Sequence, residues 1–289
     1  MTTIIDLAEL YLTERVRRGT LDPMTARNYR SSLNLFTADV RRRPDELDAE
    51  TIEAWLGSRS HLSPATRRGD LTALIGFCEW LVRQGILARN PTADVARIRQ
   101  PDPVPRALDP DQVSAVLRVC PDARARLIVW LQVGEGLRCG EVSRLRITDW
   151  SRPAGTLLVR GKGARERMLP VTVDVDRALR GYLAEHPTWS GPLVRSYRRP
   201  WAPLRPDTIS GMVSEWMRAS GVKGWARDGI SAHALRHTAA SDVLERSHDL
   251  RAVQDMLGHR HLQTTSIYLR RANLDRLRDA MSGRRYLAA

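Results

Sequence analysis

Between positions 138 and 268 the chain carries Arg138, Lys162, His233, Arg236, His237, His259 and Tyr268, residue types that together suit chemistry at a phosphate. An arginine presents a planar fork of donors that can hold two phosphate oxygens at once. Lysine can give up a proton that arginine effectively keeps, so a group that must protonate a leaving oxygen has reason to be lysine. Histidine moves protons near neutral pH, and an activated tyrosine hydroxyl is an oxygen nucleophile. Each residue also has a plainer reading. Arg138, in GEGLRCGEV, precedes a helix expected to start near Gly140, and the same spacing fits an i,i+3 pair with Glu141 on an exposed face. Tyr268 sits where a tyrosine could simply pack.

Lys162 stands at the tip of a predicted hairpin, where a solvated turn residue is the usual expectation. Composition weighs against that. Lys162 and Lys223 are the two lysines among 46 basic residues, so 44 are arginine, and a lysine in this chain is unusual. Lys223, in GVKGW, has no comparable setting. In SAHALRHTAASDVL, residues 231–244, a helix places His233, Arg236 and His237 on one face at i, i+3 and i+4. Two histidines four apart raise zinc, but the HExxH pattern needs glutamate where Ala234 stands, and no third ligand follows, so no metal is expected. In DLRAVQDMLGHRHLQTTSIYLRR, Leu250, Val253 and Leu257 form a buried stripe that Gly258 ends as a C-cap, leaving His259 at the helix end. Thr264 and Thr265 can cap a following turn that presents Tyr268, flanked by Arg270 and Arg271.

The elements that must position these residues are mostly helical. Residues 1–99 read as a small helical bundle, with candidates at Asp6 to Arg17, Thr25 to Ala38 and Ala49 to Ser58, and a fourth helix opened by Ser63-Pro64. Along that helix Leu71, Leu74, Ile75, Cys78, Leu81 and Val82 make an apolar stripe ending at Gly85. The segment QPDPVPR, residues 100–106, holds three prolines and reads as an extended linker, so a second domain is expected over 107–289. It opens at Asp109-Pro110 and continues through the apolar run LIVWLQVG. GTLLVRGKGARERMLPV, from Gly155 to Val171, has two strand-like arms around Gly161-Lys162-Gly163, and helix is expected again after Thr172. The fold class is therefore mainly α: a helical first domain, then an α-rich domain with a small antiparallel sheet.

With 46 Lys plus Arg against 33 Asp plus Glu, the net charge of +13 and pI near 10.7 point to a polyanionic partner, nucleic acid first. A membrane surface is disfavoured, because the arginines are spread along the chain instead of gathered in one basic cluster. Cys78, Cys120 and Cys139 are odd in number and widely spaced, which excludes a disulfide framework and fits a reducing cytoplasm. The opening MTTIIDLAELYLTER has no basic start before an apolar run, and no stretch approaches the roughly 20 apolar residues of a membrane span. No Gly-x-x-x-x-Gly-Lys-Ser/Thr phosphate loop is present, and no cofactor is expected.

The order and spacing of GLRCGE, GKGARERMLP, HALRHT, LGH and TTSIY resemble the tyrosine recombinase family, also called phage integrases. The motifs run from Gly136 to Tyr268, and the helical first domain resembles the family's core-binding domain. The resemblance implies that Tyr268 is the nucleophile, forming a 3′-phosphotyrosyl bond, while Arg138 and Arg236 clamp the scissile phosphate. It makes Lys162 and His233 the proton-transfer residues, gives His259 a hydrogen bond to the phosphate, and matches Glu141 to the acidic residue supporting the first arginine. Cys139 stands where a small or apolar residue is more usual. The partners implied are double-stranded DNA attachment or recombination sites, bound as a C-shaped clamp by four protomers, with a directionality factor as an accessory.

On this reading the chain is a compact recombinase without an arm-type DNA-binding domain, acting on nucleoid DNA in a bacterial cytoplasm. Phage or mobile-element integration and excision is the first expectation, and Xer-like resolution of dimers is the alternative. A type IB topoisomerase shares the tyrosine chemistry, but the short helical first domain favours recombination. Arg27, Arg30, Arg67 and Arg68, at the starts of predicted helices, are candidates for DNA contact, with solvated surface charge as the other reading. Leu274, Leu277 and Met281 at helical spacing suggest a tail helix over 273–285, docking on its own domain or on a neighbour.

Overall fold

Three helices begin the same way, with a capping side chain followed by proline at the first helical position: Asp22-Pro23, Ser63-Pro64 and Asp109-Pro110. In each the cap oxygen accepts a backbone N–H from the first turn, and proline gives up a donor that would have had no partner. The computed structural model of the chain describes residues 3–99, 106–161, 166–224 and 230–258. Contacts divide it into two compact units, Met1–Asp102 and Pro103–Ala289. Most of the expected linker, residues 100–105, lies outside the described residues.

The first unit holds α1 (Ile4–Arg17), α2 (Pro23–Asp39), α3 (Ala49–Ser58) and α4 (Pro64–Arg83). Its core gathers Leu7, Tyr11, Leu33, Phe36, Ile52, Leu74, Phe77 and Leu81. Each such side chain contributes about 1.5–3 kcal/mol when fully buried. Gly76 lets α1 and α4 close up, because a Cβ there would collide with the Tyr11 hydroxyl. Polar ends of the aromatic groups are satisfied: Trp80 Nε1 donates to Glu14 at 2.7 Å and Trp55 Nε1 to Asp39 at 2.9 Å. Buried Asp70 accepts from Ser32 Oγ at 2.6 Å and Arg59 Nε at 3.1 Å, tying three helices with one carboxylate.

The second unit runs α5 (Pro110–Arg118), α6 (Ala123–Val133), α7 (Cys139–Arg144), β1 (Trp150–Ser151), β2 (Thr156–Arg160), β3 (Glu166–Pro170), α8 (Val173–Glu185), α9 (Pro206–Ala219), α10 (His233–Ser247) and α11 (Leu250–Leu257). Helix α6 is apolar nearly all round, with Leu127, Ile128, Val129 and Leu131 fully buried, because α8 and α10 both pack on it. The sheet is antiparallel in the order β1-β2-β3, with Leu157 opposite Leu169 and Val159 opposite Arg167. Leu157, Val159, Arg167 and Leu169 face inward, while Met168 faces solvent.

The architecture is mainly α with a small antiparallel sheet. Two details depart from the sequence reading. A third strand, β1, extends the hairpin. Residues 186–205 are not helical but irregular, with isolated bridges Arg146↔Pro192 and Arg195↔Pro203. Pro187, Pro192, Pro200 and Pro203 remove the donors a helix would need there. None of the described helices is long and apolar enough to cross a membrane.

Candidate active site

After α6 the chain turns back through Gly136, whose φ of +64° lies in the left-handed region, and buried Leu137 anchors the turn. Arg138 then adopts extended backbone as the N-cap of α7. Its N–H donates to Glu141 Oε2 at 2.9 Å, so the carboxylate of the helix's third residue caps its own helix. The i,i+3 pair open from the sequence does form, with Arg138 Nη1 donating to Glu141 Oε1 at 3.2 Å. It is not a surface pair: the Glu141 side chain is 2% exposed, against 41% for Arg138.

Two further arginines converge on that carboxylate. Arg167, from β3, makes a two-point contact, Nη1 to Oε1 at 2.8 Å and Nη2 to Oε2 at 3.1 Å. Arg236, buried on α10, reaches Oε2 from Nη1 at 3.4 Å and also donates to the Gly136 carbonyl. Burial alone would push the Glu141 pKa up; Arg167 first, then the Arg138 N–H and Arg236, reverse this and hold the carboxyl below its ordinary value.

The same three guanidinium groups meet the end of α11. Arg167 Nε donates to the Met256 carbonyl at 2.8 Å, Arg236 Nη2 to the Leu257 carbonyl at 2.6 Å, and Arg138 Nη1 to Leu257 at 3.4 Å. These carbonyls belong to the last turn, which has no intrahelical partners for them and carries the negative end of the helix dipole. Gly258 closes the helix in the left-handed conformation, as its position in the sequence suggested.

His233 opens α10 at the rim. Part of it is exposed, yet the protein around its ring, followed by the charges of Arg236 and Arg138, lowers its pKa. His237, one turn on and half-buried, is pushed down to about 4 by burial, then by His233 and Arg236. Among the described residues no three His, Cys, Asp or Glu side chains form a metal-holding group.

Arg138, Glu141 and Arg236 are thus brought into one cluster, with His233 electrostatically coupled to it. Lys162, His259, Tyr268 and the 273–285 tail lie outside the described residues. Of the DNA-contact candidates, Arg27 and Arg68 are exposed, Arg67 is partly buried, and Arg30 is engaged by Glu9 at 2.7 Å. Lys223 donates to the Ile230 carbonyl.

Sequence reasoning missed Arg167. Period-2 alternation puts Arg167 on the face of Leu169, but the apolar Met168 offers the other phase equally well, so the pattern alone does not mark it. Cys139 is buried, and its sulfur accepts from Gln132 Nε2 at 3.1 Å, so it serves packing between α6 and α7.

The fold of the chain is one that solved structures share. The structure superposes on a lambda integrase (residues 75–356) dimer bound to a COC′ core site with a TM-score of 0.75, covering 91% of this chain and 97% of that one at 20% identity. The chain is 33% identical over 258 residues to a tyrosine recombinase XerC of Shewanella amazonensis, covering 86% of this chain and 85% of that protein. It is 31% identical over 277 residues to a tyrosine recombinase XerC of Neisseria meningitidis, covering 90% and 89%. The sequence profile of the phage integrase family matches residues 106–274. The chain belongs to the phage integrase family of tyrosine recombinases, and it is a site-specific recombinase.

Proposed function

We propose that this recombinase cleaves and rejoins double-stranded DNA through a 3′-phosphotyrosyl bond on Tyr268, in the manner of an Xer-like enzyme that resolves DNA dimers. The observation that carries the chemistry is the convergence of Arg138 and Arg236 on buried Glu141. Two guanidinium groups held this way suit the non-bridging oxygens of a phosphodiester and the charge that builds as its phosphorus becomes five-coordinate. A tyrosine hydroxyl, which in water loses its proton near pH about 10, needs that positive field, or a base, to attack at neutral pH, and this is the part given to Tyr268. Lys162 protonates the departing 5′-oxygen to give the 5′-hydroxyl, His233 assists proton transfer, and His259 hydrogen-bonds the phosphate. Attack by a 5′-hydroxyl of the partner strand reverses the step. The phosphodiester energy is kept in the protein bond, so ATP has no role.

The Xer-like reading is favoured over integration because relatives named XerC match across most of both chains at above 30% identity. Behind phage integration stands a likeness of fold. Four protomers on two DNA sites complete the exchange, and a directionality factor belongs to the integration alternative.

The test is a nicked suicide duplex, its site selected from a randomised library by binding to the wild-type protein, analysed under denaturing conditions. Wild type should form a covalent adduct that Tyr268→Phe lacks. An adduct persisting in Tyr268→Phe would remove the assignment and direct attention to Tyr286. A substrate with a 5′-bridging sulfur needs little protonation, so it should rescue Lys162→Ala. Deleting the gene separates the biological readings: accumulated chromosome or plasmid dimers support resolution, and loss of element insertion without dimers supports integration.

A further inference from the structure

Arg167 is the cluster's least exposed link between elements outside α10, and it differs from the two phosphate arginines in how it is held. It projects inward from β3 beside Leu169, with its side chain 13% exposed. All three guanidinium nitrogens are engaged by protein: Nη1 and Nη2 on the two oxygens of Glu141, and Nε on the Met256 carbonyl. Its guanidinium contacts to Glu141, 2.8 and 3.1 Å, are shorter than the guanidinium contacts of Arg138 at 3.2 Å and Arg236 at 3.4 Å. A guanidinium fork matched to both carboxylate oxygens fixes the plane of the carboxylate more firmly than the one guanidinium contact each that Arg138 and Arg236 make.

The second observation concerns Gly258. A Cβ there would lie 3.1 Å from Arg167 Nη1 and 3.3 Å from its Cδ, so the left-handed turn that ends α11 rests directly on this side chain. The Met256 hydrogen bond and the Gly258 contact together fix where the chain leaves α11 relative to β3. Position 259 follows at once.

We propose that Arg167 is a positioning residue for strand cleavage, locking the Glu141 carboxylate to the end of α11 so that Arg138 and Arg236 can turn toward the scissile phosphate. The proposal rests on the function stated above. When a phosphate draws those two arginines away, a buried carboxylate with no other partner would be strongly destabilised. Arg167 is the charged partner that stays, beside the Arg138 backbone N–H. A lysine could not replace it, because one ammonium cannot span two carboxylate oxygens and a carbonyl in fixed geometry.

Single-turnover cleavage of the suicide duplex, measured across pH with Arg167→Ala, Arg167→Lys, Glu141→Gln and the Arg167→Ala/Glu141→Gln double variant, tests this. Thermal melts and affinity for the intact duplex accompany each. Arg167→Ala should cleave roughly 100-fold more slowly, as displacement of a reacting group by about 1 Å does, with affinity for the duplex kept. Arg167→Lys should recover melting temperature but not rate. Glu141 is faced by Arg138 on α7, Arg236 on α10 and Arg167 on β3, with His233 the nearby titrating group. Without Arg167 the Glu141 carboxyl should protonate at higher pH, so the acid limb of the cleavage rate should move up. That displacement should vanish when position 141 is Gln, leaving the His233 limb. Should Arg167→Ala not fold, Arg167→Lys decides: a wild-type rate and pH profile in Arg167→Lys would overturn the proposal, as would the same result in folded Arg167→Ala. If wild type itself gives no Tyr268-dependent adduct, the underlying functional reading has failed first, and this proposal with it.

Discussion

Removing the Glu141 carboxylate should be among the most damaging single changes in the second unit. Its side chain is 2% exposed and meets Arg167, Arg138 and Arg236, the last 5% exposed on its side chain. Glu141→Ala leaves three guanidinium groups facing one another with no counter-charge, and removing one partner of a buried pair costs about 3–5 kcal/mol. For a unit of this size each kcal/mol corresponds to about 2–4 °C, so the melting temperature should fall by roughly 6–20 °C. The pH dependence carries a sign. Because the folded pKa of Glu141 is lowered, its contribution is complete above the unfolded carboxylate value of about 4.3 and is lost as pH falls through the folded value. The gap between wild type and Glu141→Ala should therefore be widest at neutral pH and narrow in acid. Sulfate, an anion that can occupy the bared arginines, should restore part of the loss and stabilise the variant more than wild type. Differential scanning calorimetry from pH 3 to pH 8, with and without sulfate, measures all three. A variant melting within about 2 °C of wild type at neutral pH would refute the view that this carboxylate holds the cluster together.

Four other substitutions have distinct expected outcomes. Gly258→Ala puts a Cβ at φ +63° and 3.1 Å from Arg167; the backbone term costs about 1 kcal/mol, so cleavage should suffer more than a melt would suggest, and equal small losses in both would contradict the contact. Glu135 is buried, and desolvation raises its pKa despite the Thr172 N–H at 2.9 Å, so its stabilising proton is fully held below the unfolded pKa and lost as pH rises through the folded one. Glu135→Gln keeps an acceptor without the charge and should melt at or above wild type at pH 7; a marked drop would show the charge is needed. In DNA binding across a salt series, Arg27→Ala should lower the log–log slope by about 1, whereas Arg30→Ala, already engaged by Glu9, should change it less.

Much of this site was legible because its residues sit at chemically marked places. The capping pairs Ser63-Pro64 and Asp109-Pro110 begin helices where the sequence indicated, and Gly258 ends α11 as its type required. Arg138 and Glu141 were readable as neighbours from their i,i+3 spacing, but local sequence does not encode which helix faces are covered, so the burial of Glu141 was not. Arg167 escaped for a related reason. In ERMLP both Met168 and Leu169 are apolar, alternation alone leaves two phases, and the strand takes the one that exposes Met168 and turns an arginine inward. That phase is set by a carboxylate 26 residues earlier and a carbonyl 89 residues later, contacts of tertiary origin. The irregular 186–205 stretch was missed by extending a helical pattern through four prolines.

If Arg138 and Arg236 hold the scissile phosphate as proposed, the charge arrangement gives a third arginine a part in the chemistry. Arg138, Arg167 and Arg236 against Glu141 leave two positive charges at the cluster, further moderated by the carbonyl end of α11. A phosphodiester carries one negative charge and gains a second as the nucleophile adds. A site with two uncompensated positive charges is therefore better matched to the five-coordinate state than to the bound substrate, which is what acceleration requires. Arg138 and Arg236 without Glu141 would carry the same excess but would repel each other, with only the Gly136 and Leu257 carbonyls to orient them. Adding Glu141 alone would orient them but reduce the excess to one. On that proposal Arg167 restores the second charge while occupying the carboxylate, which would put both the oriented carboxylate and the charge in place before DNA arrives.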